Sequence, residues 1–193
     1  MALKIGAAGT HSTGKTTFLT KLRLRFQDCG LQTGIVSDVA LAAHNAGFPI
    51  LRDHTVASTS WIIAKGVQLE LEAALANDVV LVDRPVADAL GYLLAALAYR
   101  GETIADSKLE HLKSFVRAYS KTYAVLIKTV VDKAKPINQS KARDKDEQFR
   151  LLVAQQIDLV FAELRLASIS LNSGCEDQVL DIVVRQARRK LHR

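Results

Sequence analysis

The chain has 193 residues, 49% of them apolar and 24% charged, with a formal net charge of +6. That length and balance suit one globular domain with its own core and exclude a disordered chain. A membrane-spanning helix is excluded too, because the longest uncharged apolar stretch, Ala89 to Tyr99, falls far short of the ~20 residues a span needs.

Strand and helix patterns alternate along the chain. Leu3 to Ala8 reads as a strand that runs straight into a glycine-rich turn, and Gly14 to Gln27 as a helix ended by Gly30. Thr33 to Val39, rich in β-branched residues, predicts a second strand ending near Asp38, with a short helix Val39 to Asn45 after it. The spacing of Ile63, Val67, Leu71, Ala74 and Leu75 predicts a long helix from Val56 to Asn77 with those residues on one face. Asp78 to Val82 is a continuous apolar strand, the pattern of a sheet covered on both faces. Helices follow at Ala87 to Arg100 and Asp106 to Ser120, then a fourth strand at Tyr123 to Thr129. Asp132 to Lys145 is polar, lysine-rich and aperiodic, the one long loop of the chain. An amphipathic helix from Asp146 to Leu166, a short strand Ser168 to Asn172 and a last helix Glu176 to Leu191 complete the order. Five apolar strands separated by helices predict an α/β fold, a five-stranded parallel sheet with helices on both faces. Its ligands are expected beyond the carboxyl ends of the strands.

One motif dominates. Gly9-Thr10-His11-Ser12-Thr13-Gly14-Lys15-Thr16 fits the phosphate-loop pattern and is followed by Thr17. Four specified positions arise by chance in roughly one chain of this length in a hundred, and here the match also follows a strand and opens a helix. The glycines let backbone N–H groups converge on phosphate oxygens, Lys15 reaches the β- and γ-phosphates, and the Thr16 hydroxyl suits Mg²⁺. The expected ligand is magnesium–ATP, in a P-loop NTPase domain spanning 1–193. His11 lies within the loop, where side chains mostly point outward.

Other candidates sit at strand ends or on the long loop. Asp83 is placed for the magnesium side, or else as an N-cap of the helix near Pro85. Arg84 would hold substrate or phosphate, or form a structural ion pair. Asp38 is placed to take a proton from an acceptor hydroxyl, or to cap the short helix. The 132–147 segment reads either as a small lid with Arg143 as first and Arg150 as second closing arginine, or as a solvated polar loop. Trp61 and Tyr92 read as core rather than substrate platforms. Cys29 and Cys175 have no motif spacing and read as free thiols. With no secretory pattern in Met-Ala-Leu-Lys-Ile-Gly, the expected location is the cytoplasm. Five basic residues fall in the last ten, so the rest of the chain is almost neutral. This basic end, 184–193, suits a helix dipole; no nucleic-acid motif accompanies it.

Together these residues resemble the P-loop kinase group that includes the ribosylnicotinamide kinase domain of NadR, in the wider neighbourhood of thymidylate and deoxynucleoside kinases. Besides the loop, the resemblance rests on Asp38, Gly47-Phe48-Pro49, Gln68, Val82-Asp83-Arg84-Pro85-Val86-Ala87-Asp88, Tyr92, and Arg143-Asp144-Lys145-Asp146 through Arg150. It implies phosphoryl transfer from ATP to a small hydroxyl compound, with adenine near Asn172 to Asp177. The lid lacks the group's Asp-Gly pair before Arg143, and no arginine soon follows Asp38, so the acceptor's identity stays open. The alternative is an ATP-dependent switch that hydrolyses ATP slowly and acts on a partner protein; a protein partner or self-association is compatible with either.

Overall fold

A computed structural model describes residues 2–37, 39–131 and 146–191. Among the described residues five strands form one sheet: β1 (Leu3–Ala8), β2 (Thr33–Val36), β3 (Val79–Asp83), β4 (Tyr123–Thr129) and β5 (Ile169–Leu171). Their order is β2-β3-β1-β4-β5, and every neighbouring pair is parallel. The helices of the described residues are α1 (Lys15–Asp28), α2 (Val39–Asn45), α3 (Val56–Ala74), α4 (Val86–Arg100), α5 (Asp106–Ser120), α6 (Glu147–Glu163) and α7 (Glu176–Leu191), with a 3-10 turn at Leu51–Asp53.

The strands are mostly apolar because successive side chains enter different cores. Val79 and Leu81 of β3 join Phe18, Leu22 and Phe26 of α1 and Val183 of α7, whereas Val80 and Val82 join Leu90 of α4 and Phe149 and Ile157 of α6. The period of two thus serves both faces at once. On the second face α4 and α6 approach closely at Gly91, where a Cβ would lie 2.5 Å from Ile157 Cγ1.

Two expectations need correction. The second strand stops at Val36 instead of Val39, because β2 is an edge strand whose one partner, β3, runs out just past the Val36–Val82 pair. The long helix ends at Ala74, and its expected stripe divides: Ile63 is buried, but Leu71 and Leu75 are 57% and 88% exposed. The inward face of α3 instead runs through Ser58, Thr59, Ile63 and Glu70. A count of apolar residues cannot register a buried carboxylate.

At the carboxyl edge of the sheet, β1 lies between β3 and β4. The turn after β1 is therefore flanked by Asp83 on one side and Thr129 on the other.

Candidate functional site

The turn after β1 is fixed by a steric constraint and a hydroxyl latch. Gly9 has φ +134°, and a Cβ there would lie 2.0 Å from Thr129 Oγ1. Thr129 Oγ1 donates to Ala8 O at 3.1 Å and shares a 2.8 Å hydrogen bond with Thr13 Oγ1. Ser12 and Gly14 also have positive φ, and Gly14 precedes α1 in the left-handed region. Gly14 brings no capping side chain, and the first turn of α1 has no acidic residue. The helix end therefore presents its N–H groups and partial positive charge without a competing carboxylate of its own.

Lys15 is buried, and its Nζ donates to Gly9 O at 2.7 Å and to Thr10 O. One position on, Thr16 Oγ1 donates to Asp83 Oδ2 at 2.7 Å. Asp83 does not cap α4; Pro85 holds that position with no side-chain cap bond. A hydroxyl whose proton is committed to a carboxylate turns its lone pairs outward, and two hard oxygen groups side by side fit a magnesium ion.

Asp88, on the first turn of α4, joins the loop to Arg84. Both of its oxygens accept from Gly9 N, at 3.2 and 3.1 Å, and Arg84 Nη1 lies 3.9 Å away. Burial pushes the Asp88 carboxyl up to about 7, against the opposite pull of Lys15, Arg84 and the Gly9 N–H. Arg84 itself has φ +77°, a left-handed conformation that costs a side-chain-bearing residue about 1–2 kcal/mol. Its N–H bonds Ala7 O at 3.1 Å, and its Nη1 donates to Tyr92 Oη at 2.7 Å.

Beyond the loop a cavity of about 740 Å³ opens between α2, α3 and α4. The loop residues 11–17 form one part of its lining, and Val39, Leu41, Ile50, Leu51, Ile62 and Ile63 form an apolar part. Glu70 also lines it, with its carboxylate fully engaged: Tyr123 Oη donates at 2.7 Å, Tyr119 Oη at 3.0 Å and Lys4 Nζ at 3.2 Å. Burial, and then the Glu70 charge, push both tyrosine hydroxyls well above their ordinary range.

The cavity brings together His11, Ser12, Thr13, Gly14, Lys15, Thr16, Thr17, Asp83 and Arg84. His11 is 3% exposed, so its ring turns inward, contrary to the expectation for that position. Tyr92 is both core and chamber wall. Arg150 is not among the lining residues; it is buried on α6, with Nη1 3.1 Å from both oxygens of Glu147. Asp146 caps α6 by accepting from Phe149 N at 3.0 Å. Asp38, Arg143 and the lid apart from Asp146 and Glu147 lie outside the described residues. Sequence reasoning missed Lys4, His54 and Glu70, and met Asp88 only through the spacing Asp83-Arg84…Asp88.

Residues 4–177 match a family model described as AAA domain. Among solved structures, NadR in complex with NR is similar at TM-score 0.73 and 15% identity, covering 96% of this chain and 52% of that one. NadR in complex with NAD and AMP-PNP gives TM-score 0.67 and 14% identity over 96% and 49% of the two chains. Deoxyadenosine kinase from M. mycoides, with dCMP and dCDP bound, gives 0.62 and 8% over 97% and 100%. The chain spans about half the length of the NadR chains. No match is found among curated proteins. The fold is that of a P-loop nucleotide-binding domain, similar to the folds of these NadR structures.

Proposed function

The chain belongs to the AAA domain family, and from that premise we propose that it is an ATP-dependent phosphotransferase acting on a nucleoside-like or other small hydroxyl metabolite. The observation that carries this reading is the cavity, which joins the phosphate loop to an apolar chamber of metabolite size. The NadR and deoxyadenosine kinase structures, which hold AMP-PNP, NR or deoxynucleotides, support a nucleotide on the loop and a small acceptor beside it.

In this reading the backbone N–H groups of residues 9–17 and the end of α1 hold the triphosphate. Lys15 leaves its carbonyl partners to meet the β- and γ-oxygens, where its charge offsets the charge that develops during transfer. Thr16 and Asp83 would hold magnesium, which would supply positive charge to the phosphates. Arg84, fixed by Tyr92 and Asp88, orients the acceptor or the transferred group. Asp38 takes the hydroxyl proton, and Arg143 closes on the triphosphate, while Arg150, buried on α6 and paired with Glu147, stays outside the chamber. All of this belongs to one domain, 1–193, working in the cytoplasm.

The test is ADP release measured with magnesium–ATP alone and with a panel of nucleosides, nicotinamide riboside and common hydroxylated vitamins. At least one acceptor is expected to raise the rate well above basal hydrolysis, and Lys15→Ala to abolish the rise. A slow rate indifferent to every acceptor would replace this reading with that of an ATP-dependent switch.

A further inference from the structure

The chamber holds a side chain that the phosphotransfer machinery does not use. His54 follows the Leu51–Asp53 turn, is 3% exposed, and forms part of the chamber wall. Neither Nδ1 nor Nε2 has a hydrogen-bond partner among the described residues, and both atoms are closed off from water. Burying two unpaired polar atoms is destabilising, so such a group calls for a second state that satisfies it.

The backbone around His54 is pinned. Arg100, at the end of α4, donates from Nη2 to His54 O at 3.1 Å and from Nη1 to Arg52 O. The imidazole packs beside Tyr92, with ring centroids 6.2 Å apart, and the Tyr92 hydroxyl accepts from Arg84. A polar track thus leads from the phosphate loop through Arg84 and Tyr92 to His54, beside the aliphatic part of the wall at Ile50, Leu51, Ile62 and Ile63. The track starts at the loop itself, because the same Arg84 Nη1 that donates to Tyr92 lies 3.4 Å from Gly9 O.

We infer that His54 is a specificity-determining residue, which hydrogen-bonds the uncharged polar edge of an acceptor whose hydroxyl lies at the phosphate loop. The inference rests on the phosphotransferase reading and adds to it the group that reads the acceptor's far end. To meet the acceptor the imidazole must turn about its Cβ–Cγ bond, because neither ring nitrogen is open to water. Burial first, then Arg100 and Arg84, hold the His54 pKa down to about 4. At neutral pH the ring is therefore uncharged, with one donor and one acceptor. An amide-type base edge carries the same pair.

Calorimetric titration tests this on the wild type, His54→Phe and His54→Gln, each loaded with magnesium and AMP-PNP. The ligands are adenosine, guanosine, cytidine and uridine, with ribose as the control that lacks a base. At least one nucleoside is expected to bind the wild type and to bind His54→Phe about tenfold or more weakly, the loss of one buried hydrogen bond. Glutamine should restore part of that loss, and ribose should not distinguish the three proteins. His54→Phe should also melt at a higher temperature than wild type without ligand, since carbon replaces two unpaired polar atoms. A wild type that binds AMP-PNP but no nucleoside, or binds nucleosides no better than His54→Phe, overturns this inference alone. A wild type that does not bind AMP-PNP overturns the phosphotransferase reading and this inference with it.

Discussion

Asp88 and His54 sit at the two ends of the polar track, and burial moves them in opposite directions. The Asp88 carboxyl is pushed up from 3.8 to about 7, so the folded chain holds this proton more tightly than the unfolded chain does. Its contribution to stability is full below about pH 4 and is lost as pH rises toward 7. For His54, burial and two nearby guanidiniums lower the value from 6.5 to about 4, so its contribution is full above pH 6.5 and is lost as pH falls toward 4. Urea unfolding between pH 4 and 7.5 should therefore separate two variants by sign. The stability advantage of His54→Phe over wild type should grow as pH falls through this window, by no more than about 3 kcal/mol. Relative to Asp88→Asn, wild type should instead lose stability as pH rises. Differences that stay flat with pH would show that neither group titrates differently in the folded and unfolded chains.

Helix α3 links local sequence to the chamber, because its start is capped and its inward face carries Glu70. Thr55 Oγ1 accepts from Ser58 N at 3.2 Å while Ser58 Oγ accepts from Thr55 N at 2.8 Å, a reciprocal capping box. Thr55→Ala should cost about 1 kcal/mol in denaturant unfolding; an unchanged midpoint would mean that tertiary packing alone fixes the helix start. Elements of this kind are legible where their signal is contiguous. The ranges of β1, β4 and α7 follow directly from apolar runs and period, and the phosphate loop is eight consecutive residues. The end of β2 was not legible, since it depends on where a partner strand stops. Nor was the chamber: Lys4 and Glu70 are 66 positions apart in sequence and meet only when α3 packs over the sheet. His54 left no signal of its own, because a lone histidine after a short turn has no spacing to read.

Across the whole molecule, the order β2-β3-β1-β4-β5 places the phosphate loop on the central strand, with Asp83 and Thr129 on its two neighbours. A nucleotide held there would touch segments that come together only in the folded sheet, so its binding energy would become folding energy. At a ligand concentration a hundred times the dissociation constant, that linkage is worth about 2.7 kcal/mol. In a domain of this size each kcal/mol moves the melting temperature by roughly 2–4 °C. Magnesium–ATP should therefore raise the wild-type melting temperature by about 5–10 °C at that saturation. Lys15→Met keeps most of the buried side-chain volume but removes the charge aimed at the β- and γ-phosphates. At the same nucleotide concentration it should forfeit most of the rise. Thr16→Val should respond differently, keeping the effect of ATP alone and losing the increment that magnesium adds. Scanning calorimetry with ATP, with magnesium–ATP and without ligand reads all three proteins. Equal shifts for wild type and Lys15→Met would place the nucleotide away from this loop.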